Sequence, residues 1–245
     1  MIPEISRTDR YYFVKIDREN IKSSTKKYSE KTTYNYLYCP DIEFDFGSIM
    51  HVDPLFGRNN GKPTYTYNRY TFQAEEKFQK IYDQMAYFSR SVVKFANGVY
   101  CRNKCTNNCQ NSGFPRKYYR CVCPLHFGGL KCNTPKISTD RCKTGKCNYH
   151  FMSDRDQNNI TILFTDILLP NSRCTRSNSY IDISYRHDRG TTGVTICKSM
   201  KALMIPPLLD EIFLYIHAFK QDNFMSINYY NYRRSKYLIN YWSIA

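Results

Sequence analysis

The chain has 245 residues, of which 42% are hydrophobic and 16% aromatic, so most of it is expected to be globular and to form one large or two to three small domains. Thirty-six Lys and Arg against 21 Asp and Glu give a net charge of +15, which favours anionic partners such as nucleic acid, glycosaminoglycan or acidic membrane. No helix-turn-helix, RNP or zinc-finger spacing accompanies the basic residues, so we do not expect specific nucleic-acid binding.

The first hundred residues contain one cysteine, Cys39, and predict two helices near their end. Apolar side chains recur at three- and four-residue spacing at Phe78, Ile81, Tyr82 and Met85, and again at Val92, Phe95, Ala96 and Val99. Ser89 is suited to be the N-cap of the second helix. The composition changes near Tyr100, where we place a domain boundary.

Ten of the eleven cysteines lie between Cys101 and Cys197, a density typical of secreted proteins with disulfides. The first ten residues contain no apolar segment of the kind that a secretory signal needs, and no apolar run approaches transmembrane length. We therefore expect an extracellular protein whose signal peptide is not present in this chain.

Short β-branched and aromatic runs begin at Ile160 and are separated by Asn, Ser, Gly and Pro. They cover 160–164, 180–185 and 212–216 and predict the strands of a β-sandwich. Asn159, Ile160 and Thr161 form a glycosylation sequon. The aromatic and basic stretch 231–245 stays unassigned.

A zinc site can be sought from spacing alone. The five histidines are His51, His126, His150, His187 and His217, and no two of them are one helical turn apart, as a helical zinc pair requires. A lone histidine is far more often exposed or capped than metal-bound. Four thiolates, from Cys105, Cys109, Cys121 and Cys123, could bind zinc tetrahedrally, although the Gly-Gly pair before Cys132 favours a disulfide-bonded module.

Residues 44–51, Phe-Asp-Phe-Gly-Ser-Ile-Met-His, and 58–64, Arg-Asn-Asn-Gly-Lys-Pro-Thr, resemble the Met-turn of astacin-family zinc metalloendopeptidases and the Asn-Gly-x-Pro-Thr loop that follows it. The resemblance assigns Ser48, Met50 and His51 to the Met-turn, with Met50 as an apolar floor beneath the zinc. It also implies a tyrosine after the Met-His pair, which reaches the metal and the oxyanion. Val52 stands there instead, and a valine can neither ligate a metal nor donate a hydrogen bond.

Residues 4–10 and 14–21 are similar to the segment that directly follows the astacin zinc helix. The resemblance puts the third histidine ligand at Pro3, and the other two histidines and the catalytic glutamate before Met1. Zinc is thus implied for the parent family, whereas we expect this chain to bind none.

The segment from Ser89 to Cys101 resembles the C-terminal helix of astacin catalytic domains. The cysteines that follow are close to the second half of an EGF-like module, which implies disulfides Cys123–Cys132 and Cys109–Cys121. One cysteine of that module is missing, with Tyr118 near its place.

The remaining cysteines fit the later three of a CUB-like domain, which implies a disulfide between Cys174 and Cys197 and leaves Cys142 as the partner available to Cys147. Arg173 and Arg176 argue against calcium beside Cys174. The pairing of Cys39, Cys101 and Cys105 stays open.

The resemblance over residues 4 to about 230 predicts a multidomain chain. Its parts are an α+β remnant of a metzincin catalytic C-terminal subdomain at 1–101, a small disulfide-rich β EGF-like module at 102–133 and a β-sandwich CUB-like domain at 140–230. The implied function is that of the C-terminal portion of a secreted astacin-like endopeptidase that cleaves proteins or peptides, inactive as given because HExxHxxGxxH is absent. The alternative is a non-catalytic EGF/CUB protein that binds an extracellular protein or an anionic glycan.

Overall fold

The computed structural model describes residues 4–32, 42–68, 88–101, 108–116, 120–138, 145–154, 158–170, 178–205, 207, 209–218 and 224–233. The chain divides into two compact units, Met1–Arg102 and Asn103–Ala245. The division falls beside the composition change at Tyr100. In the described parts of the chain, no helix is long and apolar enough to cross a membrane.

The first unit is built from short elements. The described part of this unit contains the 3-10 helices Glu4–Ser6, Arg10–Tyr12, Arg18–Asn20 and Ser23–Ser29. Strands β1 (Val14–Ile16) and β2 (Tyr65–Tyr67) pair antiparallel, with Val14 opposite Tyr67. Helix α1 spans Arg90–Cys101.

The core of the first unit comes from three separate stretches of chain. Ile5, Val14, Phe44, Phe46 and Tyr65 are all buried and form one cluster. On the strands, the side chains of Val14 and Tyr65 point inward while those of the next residues alternate outward, as the two-residue period of a strand requires. This cluster fixes the segment after Ile42 against the two strands.

Helix α1 confirms the second predicted helix. The backbone N–H of Val92 donates a hydrogen bond of 3.5 Å to the hydroxyl of Ser89, the geometry of an N-cap. The predicted apolar face is partly wrong, because Ala96 is exposed and Lys94 is buried. The first predicted helix, with Phe78 and Met85, lies outside the described residues.

The first described strands of the second unit form two small antiparallel hairpins. Strand β3 (Phe114–Arg116) pairs with β4 (Arg120–Val122), and β5 (Phe127–Gly128) pairs with β6 (Thr134–Pro135). Gly129 follows β5 with φ of +81°, and a Cβ there would lie 2.7 Å from the side-chain oxygen of Asn133. Only glycine therefore fits this turn without strain.

Within the described residues, seven further strands follow and form two antiparallel sheets. They are β7 (Gly145–Met152), β8 (Asn158–Leu168), β9 (Tyr180–Ser184), β10 (Val194–Ile196), β11 (Met200–Ile205), β12 (Glu211–Ala218) and β13 (Phe224–Arg233). One sheet has the order β10-β9-β12-β7 and the other β11-β8-β13. The three predicted β runs fall in β8, β9 and β12, whereas β13 continues past Tyr230 to Arg233, into the stretch left unassigned by the sequence.

The two sheets contact each other through β8 and β12 and enclose an aliphatic core. Alternate residues of both strands are fully or almost fully buried: Ile160, Ile162 and Phe164 on β8, and Ile212, Leu214 and Ile216 on β12. The β-branched residues that marked these runs in the sequence therefore fill the interior of the sandwich.

The opposite face of β12 is buried as well, under the disulfide-bonded segment. The ring of Phe213 lies 5.0 Å from that of Phe127 and 5.3 Å from that of His126, between ring centroids. On its own sheet, Phe213 stacks on His150 at 4.1 Å, and the Arg189 guanidinium lies 5.3 Å from its centroid. We call these five residues the Phe213 junction, which joins the hairpin segment to the sandwich.

Candidate functional site

The segment 45–51 is a tight turn held by its own hydrogen bonds. The N–H of Gly47 donates to Oδ1 of Asp45 at 3.1 Å, and the N–H of Met50 donates to Oγ of Ser48 at 3.1 Å. The N–H of His51 donates to the carbonyl of Ser48 at 2.9 Å, and the N–H of Glu4 donates to the carbonyl of Met50 at 3.1 Å. These bonds fix the positions of Met50 and His51.

The imidazole of His51 lies in an aromatic box. Its centroid is 5.5 Å from the rings of Phe44 and Tyr65, and 6.0 Å from those of Phe46 and Tyr67. The two phenylalanine rings meet the imidazole edge to face. His51 is thus a component of the core, in contrast to the exposed or capped histidine that the sequence favoured.

Two phenols approach the same nitrogen of His51. The hydroxyl of Tyr65 lies 3.2 Å from Nε2 and that of Tyr67 lies 3.4 Å from it. Burial lowers the pKa of His51 from 6.5 to about 4, so the imidazole is neutral at physiological pH. Within the described residues, Nδ1 of His51 is buried and has no hydrogen-bond partner.

Val52 occupies the position at which the astacin resemblance implies a phenol. Its side chain packs against the core cluster, and its carbonyl accepts a hydrogen bond of 2.6 Å from the hydroxyl of Tyr65. The side chain contributes only apolar contact at this place.

A charged network lies beside the turn. Arg7 donates to both carboxylate oxygens of Asp9, at 2.8 and 2.7 Å, and to the backbone carbonyls of Ile42 and Glu43, at 2.9 and 3.2 Å, whereas its contact with the carboxylate of Glu4 is longer at 3.4 Å. Burial raises the pKa of Glu4 from 4.5 to about 8, and this effect outweighs the opposing attraction of Arg7. Of the two carboxylates beside it, Arg7 is therefore engaged mainly by that of Asp9.

The donor set around Met50 does not fit a zinc ion. Zinc in a peptidase needs three protein ligands that converge on one point, and His51 supplies a single imidazole whose Nε2 already faces two phenols. Among the described residues, no group of three or more His, Cys, Asp or Glu is arranged to hold a metal. Pro3, at the implied third-ligand position, lies outside them.

The cysteines of the second unit form several disulfides. Cys109 is bonded to Cys121 and Cys123 to Cys132, the pairs implied by the EGF-like resemblance. Cys147 and Cys197 are also disulfide-bonded. Their expected partners, Cys142 and Cys174, lie outside the described residues, as do Cys39 and Cys105.

The sequon is in a strand. Asn159 lies on β8, half-buried, and its amide nitrogen donates to the carbonyl of Pro207 at 2.9 Å. The hydroxyl of Thr161 is buried and donates to the carbonyl of Ile205 at 2.5 Å. Glycosylation at Asn159 stays a prediction.

Sequence reasoning missed the residues that surround these sites. Tyr65 and Tyr67 were not singled out, although their alternation around Thr66 is the signal of a strand with one buried face. The Phe213 junction was missed because its members come from four distant stretches of the chain. No local pattern in the sequence pairs them.

Comparison with known proteins points to one family for the first unit. Residues 1–101 match the model of the Astacin peptidase family. The chain is 25% identical over 223 residues to zinc metalloproteinase nas-34 of Caenorhabditis elegans, a match that covers 82% of this chain and 36% of that protein. It is 33% identical over 134 residues to zinc metalloproteinase dpy-31 of Haemonchus contortus, a match that covers 53% of this chain and 23% of that protein.

Among solved structures, the chain is similar to high choriolytic enzyme 1, a hatching enzyme zinc-protease from Oryzias latipes. The identity is 24%, the match covers 41% of this chain and 46% of that one, and the TM-score is 0.31. The chain spans about a quarter to a third of the curated relatives it matches. The family match and the curated relatives support a relationship of this chain to the astacin family. The relatives nas-34 and dpy-31 are named as zinc metalloproteinases.

Proposed function

We propose that the chain is the C-terminal portion of a secreted astacin-type zinc metalloendopeptidase. Residues 1–101 are its catalytic-domain end, 102–133 an EGF-like module and 140–230 a CUB-like domain. The observation that carries the proposal is the Met-turn, because the hydrogen-bonded turn at 45–51 lies within the segment that matches the astacin model.

The similarity to nas-34 supports the assignment of the rest of the chain to the same protein. It covers 82% of the 245 residues, so it extends well beyond residue 101 into the second unit. The small hairpins with two disulfides support an EGF-like module, since such a module replaces a large core with cross-links. The two antiparallel sheets support a CUB-like sandwich.

The disulfides also support an extracellular location, because such bonds persist outside the reducing cytosol. In the parent family the substrate is a protein or peptide, and the zinc supplies Lewis-acid polarisation and an activated water. Among the described residues, those around His51 do not fit that metal, and we propose that this chain by itself does not hydrolyse peptides.

The proposal is tested by complementation. Met1–Pro3 are replaced by the part of the nas-34 catalytic domain that ends at the third ligand histidine, so that Glu4 follows the histidine directly. We expect this chimera to bind about one zinc and to cleave casein, since all metal ligands come from the graft. The control carries glutamine for the glutamate of the grafted HExxH and keeps the zinc without cleavage.

The same nas-34 part joined to its own C-terminal half is the positive control for zinc binding. If that control binds zinc but the chimera aggregates or binds none, the proposed relationship to astacin-type endopeptidases is contradicted. The chain without the graft serves as the baseline in both assays.

A further inference from the structure

We propose that the first unit binds a sulfated polysaccharide through an exposed strip of tyrosines and lysines. This Lys–Tyr strip consists of Tyr11, Tyr12, Lys27, Tyr28, Lys31 and Phe56. None of these residues belongs to the aromatic box of His51. Glycan binding needs neither zinc nor peptide hydrolysis, so it is independent of the function proposed for the chain.

The rings of the strip are unusually exposed and contact one another in pairs. Tyr11 is 55% exposed, Tyr28 43% and Phe56 48%. The ring centroids of Tyr11 and Tyr12 are 4.0 Å apart, and those of Tyr28 and Phe56 are 6.1 Å apart. Large side chains left in water in this way mark interaction sites more often than isolated apolar residues do.

A lysine ammonium lies close to one ring of each pair. The ammonium of Lys27 lies 5.1 Å from the ring centroid of Tyr28, and that of Lys31 lies 5.3 Å from the ring centroid of Tyr11. Both distances are within the range of a cation–π contact, which holds a flexible ammonium in place. The strip therefore presents positive charge at two fixed positions.

The surrounding charge is mostly of the same sign. Residues 22–31 contain four lysines, all exposed, against one acidic residue, Glu30. Asp9, two residues before Tyr11, is engaged by Arg7 through two hydrogen bonds. An anionic chain that follows the strip thus meets little repulsion.

The strip is also rigid, because its backbone is tied to its neighbours. The hydroxyl of Ser6 donates to the carbonyl of Tyr28 at 2.7 Å, and the N–H of Thr32 donates to the carbonyl of Ser6 at 2.9 Å. Near Phe56, the hydroxyl of Thr25 donates to the carbonyl of Gly57 at 3.2 Å. A preformed surface loses less entropy when a ligand binds.

A sulfated sugar fits these groups better than other polyanions do. Phenol hydroxyls can bond sugar hydroxyls while ammonium groups contact sulfates. Stacking of nucleic-acid bases needs free ring faces, and here lysines lie over the rings of Tyr11 and Tyr28. A membrane surface favours apolar side chains that reach the acyl chains, whereas three of the four rings end in hydroxyls.

The test measures binding of a heparin dodecasaccharide to the full chain by calorimetry. We expect Lys27→Gln/Lys31→Gln to raise the Kd by about fivefold or more, as the loss of two exposed ion pairs predicts. Tyr11→Leu/Tyr28→Leu should also weaken binding, since it removes the phenols and the cation–π contacts but keeps apolar volume. The matched control, Lys198→Gln/Lys201→Gln, removes the same charge from exposed positions on the second unit and should change the Kd by less than about twofold.

Equal weakening by the two lysine pairs would overturn the proposal, because it would mean that overall charge alone attracts the glycan. The chain is also tested against a 20-mer of single-stranded DNA and vesicles with 20% phosphatidylserine. If it binds either of them more tightly than heparin, and the strip variants lose that binding, the ligand is a nucleic acid or a membrane and the proposal is overturned. Thermal unfolding of each variant shows that it folds.

Discussion

The hydroxyl of Tyr65 donates a hydrogen bond of 2.6 Å to the backbone carbonyl of Val52, and the same oxygen lies 3.2 Å from Nε2 of His51. One side chain of β2 thus contacts both Val52 and His51. Burial raises the pKa of this phenol, so it is a neutral donor.

Removal of this hydroxyl should loosen the turn. Tyr65→Phe leaves the partly buried Val52 carbonyl without its donor, so we expect the free energy of unfolding to fall by about 1–3 kcal/mol. Urea denaturation of the full chain measures this change. Tyr12→Phe, which removes a hydroxyl from an exposed ring, is the control. Equal effects of the two substitutions would show that the bond to Val52 contributes nothing.

Glu4 should make the chain less stable as the pH rises. Its pKa is 4.5 in the unfolded chain and about 8 in the folded one, so between these values the folded state holds a proton that the unfolded state has released. The stability contributed by the protonated carboxyl is complete below pH 4.5 and is lost as the pH rises through about 8.

Glu4→Gln removes this dependence. Relative to the native chain, we expect the variant to gain more than about 1 kcal/mol of unfolding free energy between pH 5 and pH 8, the equivalent of one pKa unit. Chemical denaturation at both pH values measures the gain. Glu19→Gln, at an exposed position, should show no such change. If Glu4→Gln has the same effect at both pH values, the buried carboxyl is ionised throughout.

Phe213 should hold the hairpin segment to the sandwich. Phe213→Ala removes a buried ring that contacts Phe127, His126 and His150, so we expect a loss of about 3–5 kcal/mol. Hydrogen exchange should then rise in 120–135. Phe88→Ala, at an exposed ring of the first unit, should change stability by less than about 1 kcal/mol. Unchanged exchange in 120–135 would mean that the disulfides alone order the segment.

A phenol at position 52 should increase the activity of the nas-34 chimera. Val52→Tyr restores the donor that the family resemblance implies for the developing oxyanion, and one such donor contributes about a hundredfold in kcat. Val52→Phe supplies the ring without the hydroxyl and is the matched control. A similar rise in kcat for both variants would assign the effect to packing.

Local patterns predicted helix α1 and the strands with buried aliphatic residues, because an N-cap serine and β-branched alternation act over a few residues. Strand β13 was not predicted, since its alternation of aromatic or apolar and polar residues is interrupted where Tyr229 and Tyr230 are adjacent. Its pairing with β8 defines it instead.

The motif at 44–51 predicted the turn, but not the box around His51. The burial of His51 and His126 depends on rings from distant parts of the chain, and in both cases burial lowers the pKa to about 4. Nothing in the sequence next to His51 or His126 indicates which distant rings will pack against them.

Zinc content tests the central claim most directly. The chain is purified from zinc-supplemented medium and desalted, and its metal is measured by inductively coupled plasma mass spectrometry. Since zinc needs three converging protein ligands, we expect the chain to retain less than about 0.1 zinc per chain. About one zinc per chain, lost in His51→Ala, would contradict the account and place a metal site at His51.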